Sequence, residues 1–168
     1  MRVHAEVRYP ASADAVAAML ADTAFVDARD AATHALEHSS SVEGSADGAF
    51  VVRSSRAMPT DGAPAVARRF VGDTLVLEQT DVWSEPAADG SRTGTMTIEV
   101  PGAPVALRAS LRLDAQPDGS SVETMEGDLK ASVPLVGGAL EKAAEPLVRS
   151  AIRSEERVGR QWLAERAG

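Results

Sequence analysis

The residues His34-Ala-Leu-Glu-His38 match H-x-x-E-H, a pattern in which two histidines one helical turn apart hold a zinc ion while the glutamate activates its water. That chemistry requires a helix running through the motif and a further carboxylate ligand on a second helix. Here the motif falls where a helical stretch gives way to Ser39-Ser40-Ser41 and a strand. His34, Glu37 and His38 are therefore read as solvated surface side chains, and no metal is assigned to them. The remaining histidine, His4, sits opposite Val3, Ala5 and Val7 in an alternating run and belongs to the polar face of a strand. No serine stands in a G-x-S-x-G context, and the chain has no cysteine. A nucleophilic thiolate, a Cys-ligated zinc and an iron–sulfur cluster are thereby excluded. Phosphate cradles are missing too, since G-x-G-x-x-G does not occur and neither Lys130 nor Lys142 lies in a G-K-[ST] context. No cofactor is expected.

A second group of residues could serve binding rather than bond-making. Arg56, Arg69, Glu78, Glu99 and Glu126 lie near apolar strand positions and could anchor a ligand head group. Each is expected on the outer, solvated face, because charged side chains are rarely buried unpaired. Met58, Met96 and Met125 are flexible thioethers suited to a pocket that accepts varied apolar shapes, or to filling gaps in a core. The formal net charge is -8, from 17 basic and 25 acidic residues, and the largest basic cluster is the pair Arg68-Arg69. No nucleic-acid partner is expected from such a balance. No stretch approaches the roughly 20 uncharged residues of a membrane span, and the start of the chain has no apolar h-region. We read a cytoplasmic protein with no stable membrane insertion; its oligomeric state is not legible.

The elements that must position these residues are well marked. Residues 2–9 alternate as a half-buried strand, with Val3, Ala5, Val7 and Tyr9 on one face. Ser12 and Asp22 can cap two short helices, the second burying Phe25, Ala28 and Ala32, with Ala35 next on the same face. Four Asp-Gly dipeptides, beginning at Asp47, Asp61, Asp89 and Asp118, then divide the middle into β-rich runs at roughly 40–45, 49–57, 73–84, 92–100, 104–115 and 120–133. Residues 63–71 read as a loop or short helix. From Leu140 to Trp162, apolar residues recur at three- and four-residue steps, predicting a helix of about 25 residues and about 38 Å with one apolar stripe. Pro146 lies inside it and should bend it, unless the helix starts later. Such a helix after antiparallel strands has the sheet to lie across.

The order strand, two short helices, six strands, long helix resembles the helix-grip fold of the START-like superfamily, which includes polyketide cyclases. The matching pieces are Tyr9-Pro10, Met58-Pro59, Phe70-Val71-Gly72 before a strand ending in Trp83, Pro101-Gly102-Ala103-Pro104-Val105, Val133 to Glu141, and Trp162-Leu163. They are similar, more closely, to a bacterial branch described as a domain of unknown function. The resemblance covers essentially the whole chain as a single α+β domain, 1–168. It implies a curved antiparallel sheet of six to seven strands wrapped round the C-terminal helix, with an apolar cavity between them. It brings no catalytic positions.

The function expected on this basis is binding or carriage of a hydrophobic small molecule, lipid-, sterol- or polyketide-like, with Met58, Phe70, Trp83, Met96, Ile98, Leu111, Met125, Leu147 and Ala151 as cavity candidates. One alternative is a cyclase- or hydratase-type enzyme using the same cavity, which would need an ionisable pair converging inside with displaced pKa values. Another is an interaction module whose cavity has collapsed. The chain carries 31 alanines and six aromatic residues. That composition suits an interior left partly unfilled, with a void between the Leu140–Trp162 helix and the sheet, and Trp83, Phe70 and the methionines near its rim.

Overall fold

Seven strands and four helices follow one another in the expected order: β1 (Arg2–Tyr9), α1 (Ala13–Leu20), α2 (Thr23–Ala31), β2 (Glu37–Gly44), β3 (Phe50–Pro59), α3 (Ala65–Val71), β4 (Thr74–Trp83), β5 (Arg92–Glu99), β6 (Val105–Ala115), β7 (Ser121–Ala131) and α4 (Gly137–Arg166). The computed structural model describes residues 1–167. The strands form one antiparallel sheet in the order β1-β7-β6-β5-β4-β3-β2, so β1 and β2, neighbours in sequence, close its two opposite edges.

Local chemistry explains the element ends. Ser12 accepts from the Ala15 amide at 3.1 Å and Asp22 from the Ala24 amide at 2.8 Å, so both short helices start on a capping side chain. The Asp-Gly pairs at Asp89 and Asp118 turn the β4–β5 and β6–β7 hairpins. Their carboxylates accept from the amides of Ser91 and Ser120, and Gly90 and Gly119 adopt the positive φ that the turns require. The pair at Asp61 leads instead into α3, the short helix.

Helix α4 spans 30 residues, starting three residues before the first apolar position of the stripe and running continuously through Pro146. Pro146 is on the exposed side of the helix, and it removes one backbone bond, to the carbonyl of Lys142 one turn earlier. The helix rests on β1 and β7 at one edge of the sheet and against α1, α2 and α3. Phe25 of α2 meets Trp162 of α4 edge-on, with ring centroids 5.7 Å apart. Gly159 lets α4 descend onto β1, since a Cβ there would stand 2.7 Å from Cε1 of Tyr9.

The inner face of the sheet can be read across the strands by register. One row runs Phe50, Trp83, Gly94, Leu111, Met125 and Ala5; the next runs Val52, Asp81, Met96, Ala109, Gly127 and Val3; a third runs Ser54, Gln79, Ile98, Leu107 and Leu129. The first row is apolar and well filled, with Phe50 stacked on Trp83 at 6.4 Å. In the second and third rows, polar residues of β3 and β4 replace the apolar ones.

Candidate functional site

Those inward polar residues meet a matching pair from α2. Arg29 and Asp30 share the buried face of that helix with Phe25 and Val26, one turn earlier. The sequence suggested Ala28 and Ala32 for this face; the helix is rotated, and it delivers a charged pair to the interior. Asp30 is fully buried, and its Oδ1 accepts from Arg29 Nε at 3.2 Å and lies 3.6 Å from Arg56 Nη1. Arg56 Nη2 donates to Gln79 Oε1 at 2.8 Å, and Gln79 Nε2 donates to both oxygens of Asp81 at 3.1 and 2.9 Å. Arg29 Nη1 stands 3.8 Å from Asp81 and 3.5 Å from Glu155 of α4. Two helices and two strands thus supply one buried network of charge.

Glu123 of β7 and Tyr9 of β1 adjoin this network. Burial, then Glu155 and Asp81, push the Glu123 carboxyl well above the usual carboxylate range. Tyr9 is raised well above its ordinary value by burial, then by Glu123 and Glu155. Burial likewise raises Asp81 to about 6, with Glu155 adding to it while Arg29, Gln79 and Arg56 oppose it. For Arg29, burial acts against the charge, but Glu155, Asp30 and Asp81 outweigh it and raise the pKa, so its guanidinium is firmly protonated. Arg56 is lowered by burial and by Arg29. Such shifts arise where water is excluded and neighbouring charges substitute for it. Several interior atoms have no hydrogen-bond partner among the described residues: Tyr9 Oη, Arg29 Nη2, Asp30 Oδ2, Ser54 Oγ, Arg56 Nε and Glu123 Oε2.

Arg56 therefore corrects the sequence reading that placed it on the outer face. It is only 5% exposed, tolerated inside because Asp30 and Gln79 meet it. The other four charged residues of that group, Arg69, Glu78, Glu99 and Glu126, are exposed. Where the composition suggested an unfilled apolar space, the structure places this polar cluster. Its signal was present as alternation: Ser54 and Arg56 are in phase with Phe50 and Val52, and Gln79 and Asp81 with Trp83.

The cavity candidates fall into three groups. Trp83, Leu111 and Met125 are buried in the core row. Met96 and Ile98 are half-buried and pair across the sheet with Asp81 and Gln79, while Ala151 is half-buried on α4, one turn before Glu155. Met58 is half-buried too, its sulfur accepting from Thr33 Oγ1 at 3.7 Å. Phe70 on α3 is 39% exposed and Leu147 on α4 is 55% exposed, both outside the cluster. Two surface cavities are present: one of about 430 Å³ between the α1–α2 corner and the end of β2, lined by Ala18, Asp22, Val42 and Ala46 among others, and one of about 320 Å³ along β2, β3 and β4, whose lining includes Ser54 and Gln79.

The H-x-x-E-H residues are placed apart from this interior. Helix α2 ends at Ala31, His34 has a left-handed backbone (φ 62°), and Glu37 and His38 belong to β2. His38 Nδ1 is 3.8 Å from Asp27, which also accepts from Ser40 at 2.7 Å. Among the described residues, no three His, Asp or Glu side chains converge as a metal site would require, and no helix is long and apolar enough to cross a membrane.

A curved antiparallel sheet gripping a long C-terminal helix, with two short helices after the first strand, is the START-like helix-grip fold. Solved structures share it across nearly the whole chain. An aromatase/cyclase from Streptomyces matches with a TM-score of 0.61 at 15% identity, covering 100% of this chain and 96% of that one. A START superfamily protein from Mycobacterium smegmatis matches with a TM-score of 0.57 at 11% identity, covering 96% and 98%. Norcoclaurine synthase from Thalictrum flavum matches with a TM-score of 0.57 at 12% identity, covering 100% and 96%. At these identities the likeness is one of fold. The chain itself belongs to the family described as protein of unknown function (DUF2505), whose profile matches residues 4–163. Among curated proteins, none matches it in sequence.

Proposed function

We propose that this protein binds an apolar small molecule between α4 and the inner face of the sheet, against the half-buried apolar side chains of β5 and α4, with the molecule's polar end directed to the Arg29–Arg56 cluster. The observation that carries this reading is the direct adjacency of two surfaces. Met96 and Ile98, half-buried and apolar, are register partners of Asp81 and Gln79 inside the cluster. Val148 and Ile152 of α4 are also apolar and only partly buried, and Ile152 lies one turn before Glu155 on the helix. Ligand sites commonly combine such an apolar lining with a few placed polar groups. The START-like fold, shared with an aromatase/cyclase and a norcoclaurine synthase, is consistent with it. The test is native mass spectrometry of freshly purified protein, followed by thermal shift against lipids and polyketides. A copurifying apolar species or a saturable rise in Tm is expected; neither appearing would overturn the reading.

A second reading is a cyclase- or hydratase-type enzyme acting in the same place, and a separate observation favours it. Asp81 and Glu123 are buried carboxyls whose pKa values are raised toward the range useful for proton transfer, with Tyr9 nearby. Recovery of a bound ligand changed by loss of water or by ring closure, with the change abolished in Glu123→Gln, would favour the enzyme. Recovery of unaltered ligand after prolonged incubation would favour the carrier.

A further inference from the structure

The buried network also constrains the ligand's polar group, an argument that rests on the binding reading above. Arg29 and Arg56 converge on Asp30 Oδ1, yet each keeps one buried nitrogen, Nη2 and Nε respectively, without a partner among the described residues. A guanidinium carries five N–H donors and no acceptor. The side-chain hydrogen bonds these two donate are Arg29 Nε to Asp30 and Arg56 Nη2 to Gln79, so most of their donor capacity is unused. Charge is unbalanced in the other direction. The two guanidiniums face Asp30, Asp81, Glu155 and Glu123, and the sum is negative even when Glu123 holds its proton. The unpartnered Asp30 Oδ2 and Glu123 Oε2 belong to this acidic side.

A ligand carboxylate would satisfy the donors but deepen the negative excess where water is excluded. An ammonium would reduce that excess and could donate to Asp30 Oδ2 or Glu123 Oε2, but with no lone pair it would leave Arg29 Nη2 and Arg56 Nε without an acceptor. A neutral oxygen with lone pairs fits both counts. We propose that the polar end of the ligand is a neutral carbonyl oxygen, as in a ketone or ester, accepting from Arg29 Nη2 and Arg56 Nε, and that carboxylates and amines of the same length are discriminated against.

The test is calorimetric titration of the full chain at pH 7.5 with 2-decanone, decanoate and decylamine below their aggregation concentrations. The ketone is expected to bind about tenfold or more tighter than either charged probe, a difference on the scale of one buried hydrogen bond. In Arg56→Met, which removes donors and increases the negative excess, the ratio of ketone to amine affinity is expected to fall by about tenfold. A general loss of packing would weaken both probes and leave that ratio unchanged. Decanoate or decylamine binding as tightly as the ketone would overturn the carbonyl assignment while leaving the binding reading intact. An unchanged ratio in a folded Arg56→Met protein would remove Arg56 from the assignment. Failure of all three probes to bind the wild-type chain would overturn the carbonyl assignment together with the binding reading on which it rests. The wild-type comparison decides the question even where the variant does not fold.

Discussion

Tyr9 and Gly159 are in direct contact across the β1–α4 interface, and the glycine is there because the tyrosine leaves no room: a Cβ at 159 would stand 2.7 Å from Cε1 and 3.1 Å from Oη of the ring. The same contact sets the height of α4 above the sheet. Glu155, one turn earlier, thereby reaches to 3.5 Å from Arg29.

Gly159→Ala is expected to destabilise the protein by about 1–3 kcal/mol through overpacking, partly offset by about 1 kcal/mol of gained helix propensity. Gly138→Ala is the matched control. Nothing lies within 4 Å of its added methyl, so its effect should be neutral or slightly stabilising. Urea unfolding of both variants measures the contrast.

Arg29 counters three carboxylates at once, and replacing it with methionine leaves Asp30, Asp81 and Glu155 without that counter-charge. Loss of one partner from a buried ionic network should cost about 3–5 kcal/mol. Adding Asp81→Asn to the Arg29→Met background should restore part of the lost stability, because one of the stranded charges is then removed. The same unfolding experiment reads both steps.

Asp81 makes stability depend on pH. Its pKa of about 6 in the folded state, against 3.8 for the free side chain, means that the folded protein retains a proton the unfolded chain has already released. This contribution to stability is present at low pH and is lost as pH rises from about 4 to about 6. Asp81→Asn should therefore gain on the wild type across that window by about 3 kcal/mol, following the rule that one pKa unit is about 1.4 kcal/mol. Paired denaturation curves at several pH values test this, and a constant difference between the two proteins would count against it.

Leu135, in the connection from β7 to α4, has φ 69° and a fully exposed side chain. It bears the cost of a left-handed backbone with no packing in return. Leu135→Asn keeps the backbone and supplies a residue that tolerates this conformation. A gain of about 0.5–1 kcal/mol is expected, visible as a rise in Tm.

The sequence made most of the scaffold legible because its signals are local. Ser12, Asp22 and the Asp-Gly pairs act within a few residues of themselves, and the α4 stripe repeats often enough to outweigh Pro146. The polar centre is a different case. Arg29, Asp30, Arg56, Gln79 and Asp81 are stabilised inside by one another, across segments far apart in the chain, so each read singly looks like a surface residue. Their phase with Val26, Val52 and Trp83 was the available signal, and polarity alone obscured it. The H-x-x-E-H match misleads in the opposite sense: its spacing is right, but the backbone has left the helix before His34.

The strand order carries a consequence for how this molecule is made. Strand β1 leaves the ribosome before the other six strands, yet it pairs in the sheet with β7, which begins at Ser121, and the edge opposite is taken by β2. Tyr9, Arg29 and Asp30 are thus synthesised long before Glu123 and Glu155 exist to meet them. Contacts this distant in sequence slow folding, and the charged centre becomes whole only when β7 and α4 join β1 and α2. Until then the nascent chain exposes an unpaired β1 edge, and Arg29 lacks Glu155, the state in which it is most open to chaperones and to aggregation.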